Sequence, residues 1–367
     1  MISLSLPIGD NYGWGICGRN LVRQFSSMAD TQLFCPVMGD NDPLRELVPE
    51  DWNPNYPYSS GCDPMLHAVQ GANLLPSNPN VWSDLHNVGY AFIEDIETAK
   101  RYVANGLRYF DRILTGSTWC TERLGDLGLP VETAIQGVDT SIFCPAAARP
   151  WGPLFKDDKF YIFSGGKFEY RKGQDIVIAA FKHLMDKYSD IHLVCSWGNL
   201  WPATMDTMRR STLIQYPEFS TNDWHVKIRA VMAANGIQAH RYTSLPLYPQ
   251  EQMADYYRLC DVALFPNRCE AGTNLPMMEA MACGVPVIGS MATGHVDVLD
   301  FEYCWMLSEG RFDQYGWFEP DLDMAVCLLE QAYLNREESR TLGLRGANAI
   351  KQFTWERTAA QILKVCM

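Results

Sequence analysis

Three prolines within ten residues, in the stretch Cys144–Pro153 (CPAAARPWGP), constrain this chain more than any other feature. Proline lacks an N–H and fixes φ, so such a segment resists both helix and strand. On either side of it, short apolar runs alternate with longer amphipathic ones. That alternation is the pattern of parallel strands covered by helices. With 367 residues, the chain is long enough for two such units. The reading is α/β, with one Rossmann-like domain over 1–150, a second over 151–350, and the proline-rich segment as the link.

Before the link, Ile2–Leu6 reads as a first strand and Gly13–Gly18 as a glycine-rich loop, with a helix over Asn20–Phe25. Val81–Leu85 is a strand candidate, Ala99–Phe110 a helix, Arg112–Thr115 a strand, and Thr118–Leu127 a helix stopped by Gly128 and Pro130. Residues 40–80 read as loops or insertions. After the link come strand Phe160–Phe163, the Gly165-Gly166 turn, and helix Gln174–Tyr188. The stripe of Ile176, Ala180 and Leu184 beside Val177, Phe181 and Met185 marks that helix. Strands Ile191–Cys195, Val262–Phe265 and Val285–Ile288, and helices over 226–235, Gln252–Leu259 and Met277–Ala282, complete the second set. Residues 199–225 read as an insertion.

Composition excludes several classes. The net charge is −13, and residues 1–150 hold 9 Lys and Arg against 17 Asp and Glu. A nucleic-acid partner is therefore not expected, nor a broad basic face for anionic lipids. A small peripheral membrane patch escapes this count. The twelve cysteines form no C-x-x-C pair and read as buried thiols in a reducing compartment, so the expected location is cytoplasmic. The start resembles no signal peptide, and no apolar run reaches membrane-spanning length.

The chemistry concentrates in Cys269–Ile288 (CEAGTNLPMMEAMACGVPVI), which reads as turn, helix, stop, strand. Gly272 permits close backbone approach, and Pro276 suits a first helical turn. Gly284 ends the helix. Such a helix N-terminus is an anion site suited to a diphosphate. Glu270 and Glu279 could accept hydrogen bonds from sugar hydroxyls. Residue types alone leave open that Glu279 only complements the helix dipole and that Glu270 is a solvated loop residue. A second stretch, Ser164–Gln174 (SGGKFEYRKGQ), sets Lys167, Arg171 and Lys172 after the second domain's first strand. Two cations beside a helix N-terminus suit a departing diphosphate. A solvated basic turn is the alternative.

These stretches resemble family 4 of the retaining glycosyltransferases, the group 1 glycosyl transferases, which have the GT-B fold. The family pattern spaces its two glutamates by seven residues; here eight lie between Glu270 and Glu279. The resemblance implies two Rossmann-like domains facing each other across a cleft. The first would take the acceptor and the second a nucleotide-sugar donor. A last helix over 351–367, opened by Phe353-Thr354-Trp355, would pack back on the first domain. It implies that Glu270 holds the donor sugar, Glu279 the ribose, and Gly272 with the backbone of Thr273, Asn274 and Leu275 the diphosphate. Lys172, with Lys167 at the family's Arg position and Arg171 in support, would clamp the leaving group beside Gly166. Gly15, in a glycine loop, would lie over the donor phosphates, and His86 would stand near sugar and acceptor. Lys172 is expected to be an exposed turn lysine.

The reaction implied is transfer of a sugar from a nucleoside diphosphate sugar to an acceptor hydroxyl with retention, in glycan or glycoconjugate synthesis. No cofactor and no metal are expected: Asp40-Asn41-Asp42 has the D-x-D form but lies far from the phosphate motif in sequence. Two other classes remain. Gly13–Gly18 satisfies G-x-G-x-x-G, the mark of an NAD-dependent oxidoreductase, with Asp40 as the acidic ribose ligand. A non-catalytic sugar-nucleotide-binding relative, or an epimerase on a similar scaffold, would also use these motifs.

Overall fold

The computed structural model describes residues 1–35, 42–147, 155–156 and 158–367. They form two compact units. The first comprises Met1–Gly137, Ala271–Thr273 and Phe353–Met367, and the second Val138–Glu270 and Asn274–Gln352. The boundary falls at Gly137, not near residue 150. Phe143 is buried against Tyr257, and Arg258 donates to the carbonyls of Ile142 (2.7 Å) and Cys144 (2.9 Å), which fastens this stretch to the second unit. Residues 148–153 of the proline-rich segment lie outside the described residues.

In the first unit, β1 (Ile2–Ser5) leads through a loop into α1 (Gly13–Met28). Then come β2 (Thr31–Leu33), β3 (Met65–Gln70), β4 (Asn87–Ala91) and β5 (Arg112–Thr115), followed by α2 (Thr118–Gly125) and β6 (Val131–Thr133). Among the described residues these strands lie parallel in the order β2-β1-β3-β4-β5-β6, with Leu75–Pro76 antiparallel on β3. Two expectations change. Residues 40–80 contain a central strand, β3, whose His67 is buried and pushed down to about 4 by burial. Among the described residues, Val81–Trp82 pairs with Tyr58–Ser59, outside the main sheet.

The second unit runs β7 (Phe160–Gly165), α3 (Gln174–Lys187), β8 (Ile191–Ser196), β9 (Tyr242–Ser244), α4 (Gln250–Leu259), β10 (Val262–Phe265), α5 (Leu275–Ala282), β11 (Val287–Ser290) and β12 (Trp305–Leu307). A hairpin, β13 (Gly310–Phe312) with β14 (Phe318–Pro320), precedes α6 (Leu322–Leu334). The parallel order is β9-β8-β7-β10-β11-β12, so the chain reverses direction across the sheet between β7 and β10. Ligands of open α/β sheets bind at the carboxyl ends of the strands at such a switch point. The α3 stripe of Ile176, Val177, Ala180, Phe181 and Leu184 is buried on this sheet. Each large apolar side chain there contributes about 1.5–3 kcal/mol.

The final helix, α7 (Trp355–Cys366), belongs to the first unit and packs against α1. Thr354 caps it by accepting from the Arg357 N–H at 3.1 Å, and Thr358 Oγ1 donates to the Ile135 carbonyl at 2.7 Å. No helix among the described residues is long and apolar enough to cross a membrane. All twelve cysteines are free; Cys62 and Cys327 are exposed and Cys144 partly so, against the expectation that all are buried.

Candidate active site

The turn after β7 is built by two glycines. Gly166 adopts φ +100°, and the Lys172 stem passes over it, 3.7 Å from where a Cβ would sit. Gly173 adopts φ +71°, and any Cβ there would overlap the Pro266 carbonyl. Only glycine fits such a position. Between them a short 3₁₀ turn, Tyr170–Lys172, projects Arg171 and Lys172 toward the loop that leaves β10. The Arg171 carbonyl accepts from the N–H groups of Arg268 (2.7 Å) and Cys269 (3.2 Å), so the two loops are stitched together at the switch point.

Their side chains form one charged cluster. Lys172 pairs with Glu270 Oε1, which also accepts from Asn267 Nδ2. Arg171 reaches Glu270 Oε2 at 3.5 Å and Glu169 Oε2 at 3.0 Å. Lys167 pairs with Glu169 Oε1 at 3.0 Å and lies over the Trp201 ring. Lys172 is only 10% exposed, so it is a partly desolvated ion-pair member and not the expected exposed turn lysine. Burial alone would raise the Glu270 carboxyl, but Lys172 and Arg171 beside it hold it below the ordinary carboxylate range. Burial likewise opposes ionisation of Glu169, and Arg171 with Lys167 overcome it, holding that carboxyl at about 2.

A third segment, the 3₁₀ turn Thr293–Asp297 after β11, fixes Glu270 from behind. Thr293, at φ +52°, accepts from the Glu270 N–H at 3.0 Å, and Gly294 N–H donates to the Glu270 carbonyl at 2.9 Å. His295 is fully buried, and burial pushes it down to about 4, so it is a neutral ring. Asn274 Nδ2 donates to its Nε2 at 3.1 Å. Asn274, at φ +66°, opens α5, and the Leu275 amide begins the helix with no intrahelical acceptor. The Oδ1 atoms of Asn267 and Asn274 are buried with no partner among the described residues. Buried acceptors of this kind call for a donor, and sugar hydroxyls are donors.

Glu279 lies one turn further along α5. Its oxygens accept from Gln250 Nε2 (2.8 Å) and Tyr257 OH (2.9 Å) of α4. Burial raises its carboxyl to about 7 despite both bonds. Gly272 and Thr273 group with the first unit, where a Cβ on Gly272 would stand 2.5 Å from Gln136 Oε1.

Sequence reasoning missed Asn267, Thr293 and His295, and above all Arg268. Buried at the start of the loop, it makes paired bonds to Asp175 (2.7 and 2.8 Å) and to Glu319 (2.6 and 2.7 Å). It also donates to the Tyr170 carbonyl at 2.7 Å and lies over the Tyr170 ring at 3.8 Å. It thereby ties the cationic turn, the start of α3 and the β13–β14 hairpin to one point. Its partners lie 51 to 98 residues away in sequence, which no local motif reports.

Two expected residues stand elsewhere. His86 precedes β4, at the amino edge of the first sheet. It contacts Asp111 (3.3 Å) and the Val365 carbonyl (3.2 Å) and lines a cavity of about 790 Å³ with Arg112, Glu132 and Lys364. His86, expected near sugar and acceptor, thus stands at the edge opposite the one where ligands of such sheets bind. Gly13–Gly18 is the opening of α1, not a loop. Gly15 is buried, and a Cβ on it would stand 2.7 Å from the Gly9 backbone; a Cβ on Gly18 would overlap the Pro7 carbonyl. Seven residues separate β1 from these glycines, so they do not make the strand-end turn of a dinucleotide fold. In the D-x-D segment, Asp40 and Asn41 lie outside the described residues, and Asp42 caps a 3₁₀ turn and pairs with Arg19 at 2.6 Å.

Residues 148–304 match the family model described as glycosyl transferases group 1, which spans both cationic and glutamate motifs. Sequence relatives include a D-inositol 3-phosphate glycosyltransferase of Paenarthrobacter aurescens, 25% identical over 237 residues, 64% of this chain and 50% of that one. The chain thus spans about half the length of the curated relatives it matches. Similar solved structures include sucrose-phosphate synthase from Thermosynechococcus elongatus, at TM-score 0.71 and 17% identity over 99% of this chain and 97% of that one. Another is Anabaena HepE in complex with UDP and glucose, at TM-score 0.68 and 12% identity over 100% and 99%. The fold is GT-B, and the resemblance read from Glu270–Ile288 falls within the matched segment.

Proposed function

We propose that the chain transfers a sugar from a nucleoside diphosphate sugar to an acceptor hydroxyl with retention at the anomeric carbon, without a metal ion. In this reading the second unit takes the donor and the first the acceptor. The observation that carries it is the cluster of Lys167, Arg171 and Lys172 at the β7–β10 switch point, beside the buried, unsatisfied oxygens of Asn267 and Asn274. Cations there meet a diphosphate whose negative charge grows as the glycosidic bond breaks. Fixed charges aimed at developing charge are the largest catalytic contribution a protein makes. Glu270, bound by Lys172, Arg171 and Asn267, is a positioning carboxylate for sugar hydroxyls and not a nucleophile. Glu279 takes the ribose, and the Thr273–Leu275 backbone takes the phosphates. The leaving diphosphate assists deprotonation of the acceptor, and the protein supplies orientation.

The NAD reading loses its support, because its glycines lie inside α1. HepE was solved with UDP and glucose, which makes UDP-glucose the first donor to test, followed by GDP and ADP sugars. The test is release of nucleoside diphosphate and transfer of labelled sugar to an acceptor panel, with the product's anomeric configuration read by NMR. Turnover with one donor, an unchanged configuration and full activity in EDTA are expected. Inversion, or activity lost in EDTA and restored by Mn²⁺, contradicts the proposal.

A further inference from the structure

The first unit presents a carboxyl edge of its own. The described segments that leave β1, β3, β4, β5 and β6 there are 6–12, 71–74, 92–95, 116–117 and 134–137. They carry Asp10, Glu94 and Asp95 and no Lys or Arg. Arg19 of α1, seven residues past the first of these segments, is held by Asp10 at 2.6 Å and by Asp42 at 2.6 and 3.2 Å. What this edge offers instead is aromatic. Trp14, at the start of α1, meets Phe92 edge-on at 4.8 Å and Tyr90 at 6.0 Å, and Tyr90 meets Phe92 at 4.9 Å. Gly116, at the end of β5, lies directly against the Phe92 ring. Trp119, in the first turn of α2 just beyond it, is 8% exposed, and its Nε1–H has no partner among the described residues.

We propose that the acceptor is an uncharged, unphosphorylated saccharide or polyol that lies against the Trp14–Phe92 shelf. The inference rests on the transferase reading above and names its acceptor class. A sugar ring has an apolar C–H face that suits an aromatic shelf, and its hydroxyls suit a few directed polar groups around it. A phosphorylated or carboxylated acceptor would bring like charge to Asp10, Glu94 and Asp95 with no Lys or Arg in these segments to meet it, and such juxtaposition selects against a ligand. The acceptor class therefore differs from the one printed in the name of the Paenarthrobacter relative, an inositol phosphate.

The experiment uses the full chain and matched pairs: inositol against inositol 3-phosphate, glucose against glucose 6-phosphate, and a panel of neutral oligosaccharides. Binding is read by saturation-transfer NMR in the presence of UDP, and transfer by product formation from the active donor. Neutral members are expected to bind, and to be favoured over their phosphorylated partners by about tenfold or more, a difference of one decade in Kd. Trp14→Ala should raise the acceptor KM about tenfold while kcat changes less, and Trp14→Phe should recover most of the loss. Preference for phosphorylated members, binding of none of the neutral ones, or an unchanged acceptor KM in Trp14→Ala overturns the inference. Donor hydrolysis without acceptor is followed in parallel. Absence of both hydrolysis and transfer with every donor and acceptor marks failure of the transferase reading, whereas turnover together with a preference for phosphorylated acceptors marks failure of the acceptor class alone.

Discussion

The two carboxyl edges of this molecule share an architecture and differ in chemistry. Both are the loop ends of parallel sheets with a central reversal of strand order. The second unit gathers Lys167, Arg171, Lys172 and the buried Arg268 there, with carboxylates that hold them in place. The first sets Trp14 and Phe92 among carboxylates, and Arg19 beside them is already paired with Asp10 and Asp42. A fold supplies the position of a site, and the side chains carried there decide its ligand. One edge suits a polyanion and the other a neutral, hydroxyl-rich ring.

The comparison breaks first at Arg268. Arg268→Ala leaves Asp175, fully buried, and Glu319 without their counter-charge, and loss of one member of a buried pair costs about 3–5 kcal/mol. The second unit should melt well below wild type by circular dichroism, while the aromatic packing of the first should be little changed in near-ultraviolet spectra. Equal melting of variant and wild type would show that the cationic edge is not built on Arg268. Next comes Lys172. Lys172→Met keeps a stem over Gly166 and removes the charge, and kcat should fall by about 10²–10³, the loss typical of one preorganised electrostatic contact. A kcat within about threefold of wild type would move the role to Lys167 or Arg171.

The difference between the edges also explains how much the sequence disclosed. The second unit was legible because its strands are continuous apolar runs punctuated by glycine and proline. Val262–Phe265 appears as expected, and Gln174–Lys187 differs from expectation by one residue. Its candidate site could be named from the local motifs Lys172-Gly173 and Glu270 through Glu279, and the fold brings Lys172 and Glu270 into contact. The first unit hid two central strands. β3 carries a buried His67 and β4 a mid-strand Gly89, residue types that read as loop until packing overrides them. Gly13–Gly18 read as a loop because glycine is a poor helix former; here the absent side chains let α1 press against Gly9 and Pro7. The aromatic shelf joins Trp14 to Phe92, 78 residues apart, and only the sheet brings them together.

Glu279 sharpens the contrast through pH. Its folded carboxyl sits near 7, above the ordinary 4.5, so the fold favours the neutral acid. The stability this confers is full below about pH 4.5 and is lost as pH rises through 7, by roughly 3 kcal/mol in all. Glu279→Gln removes that dependence, so its stability relative to wild type should rise between pH 5 and pH 8 in parallel urea titrations. A constant difference across that range contradicts it. The smallest effect is expected at Asp10, which is 61% exposed. Asp10→Asn breaks a largely exposed pair, costs less than about 1 kcal/mol, and frees part of Arg19. It should improve use of a phosphorylated acceptor by a few-fold at most, as read by initial rates.

The cationic edge of the second unit is proposed to hold a diphosphate. The most direct measurement is calorimetric titration of wild type and Lys172→Met with matched nucleoside mono- and diphosphates of uridine, guanosine and adenosine. One diphosphate should bind wild type, and Lys172→Met should weaken it by about tenfold or more, the worth of a charge-assisted hydrogen bond. The corresponding monophosphate should bind both proteins with nearly equal affinity. Binding of no nucleoside diphosphate, or equal losses for mono- and diphosphate, would contradict it.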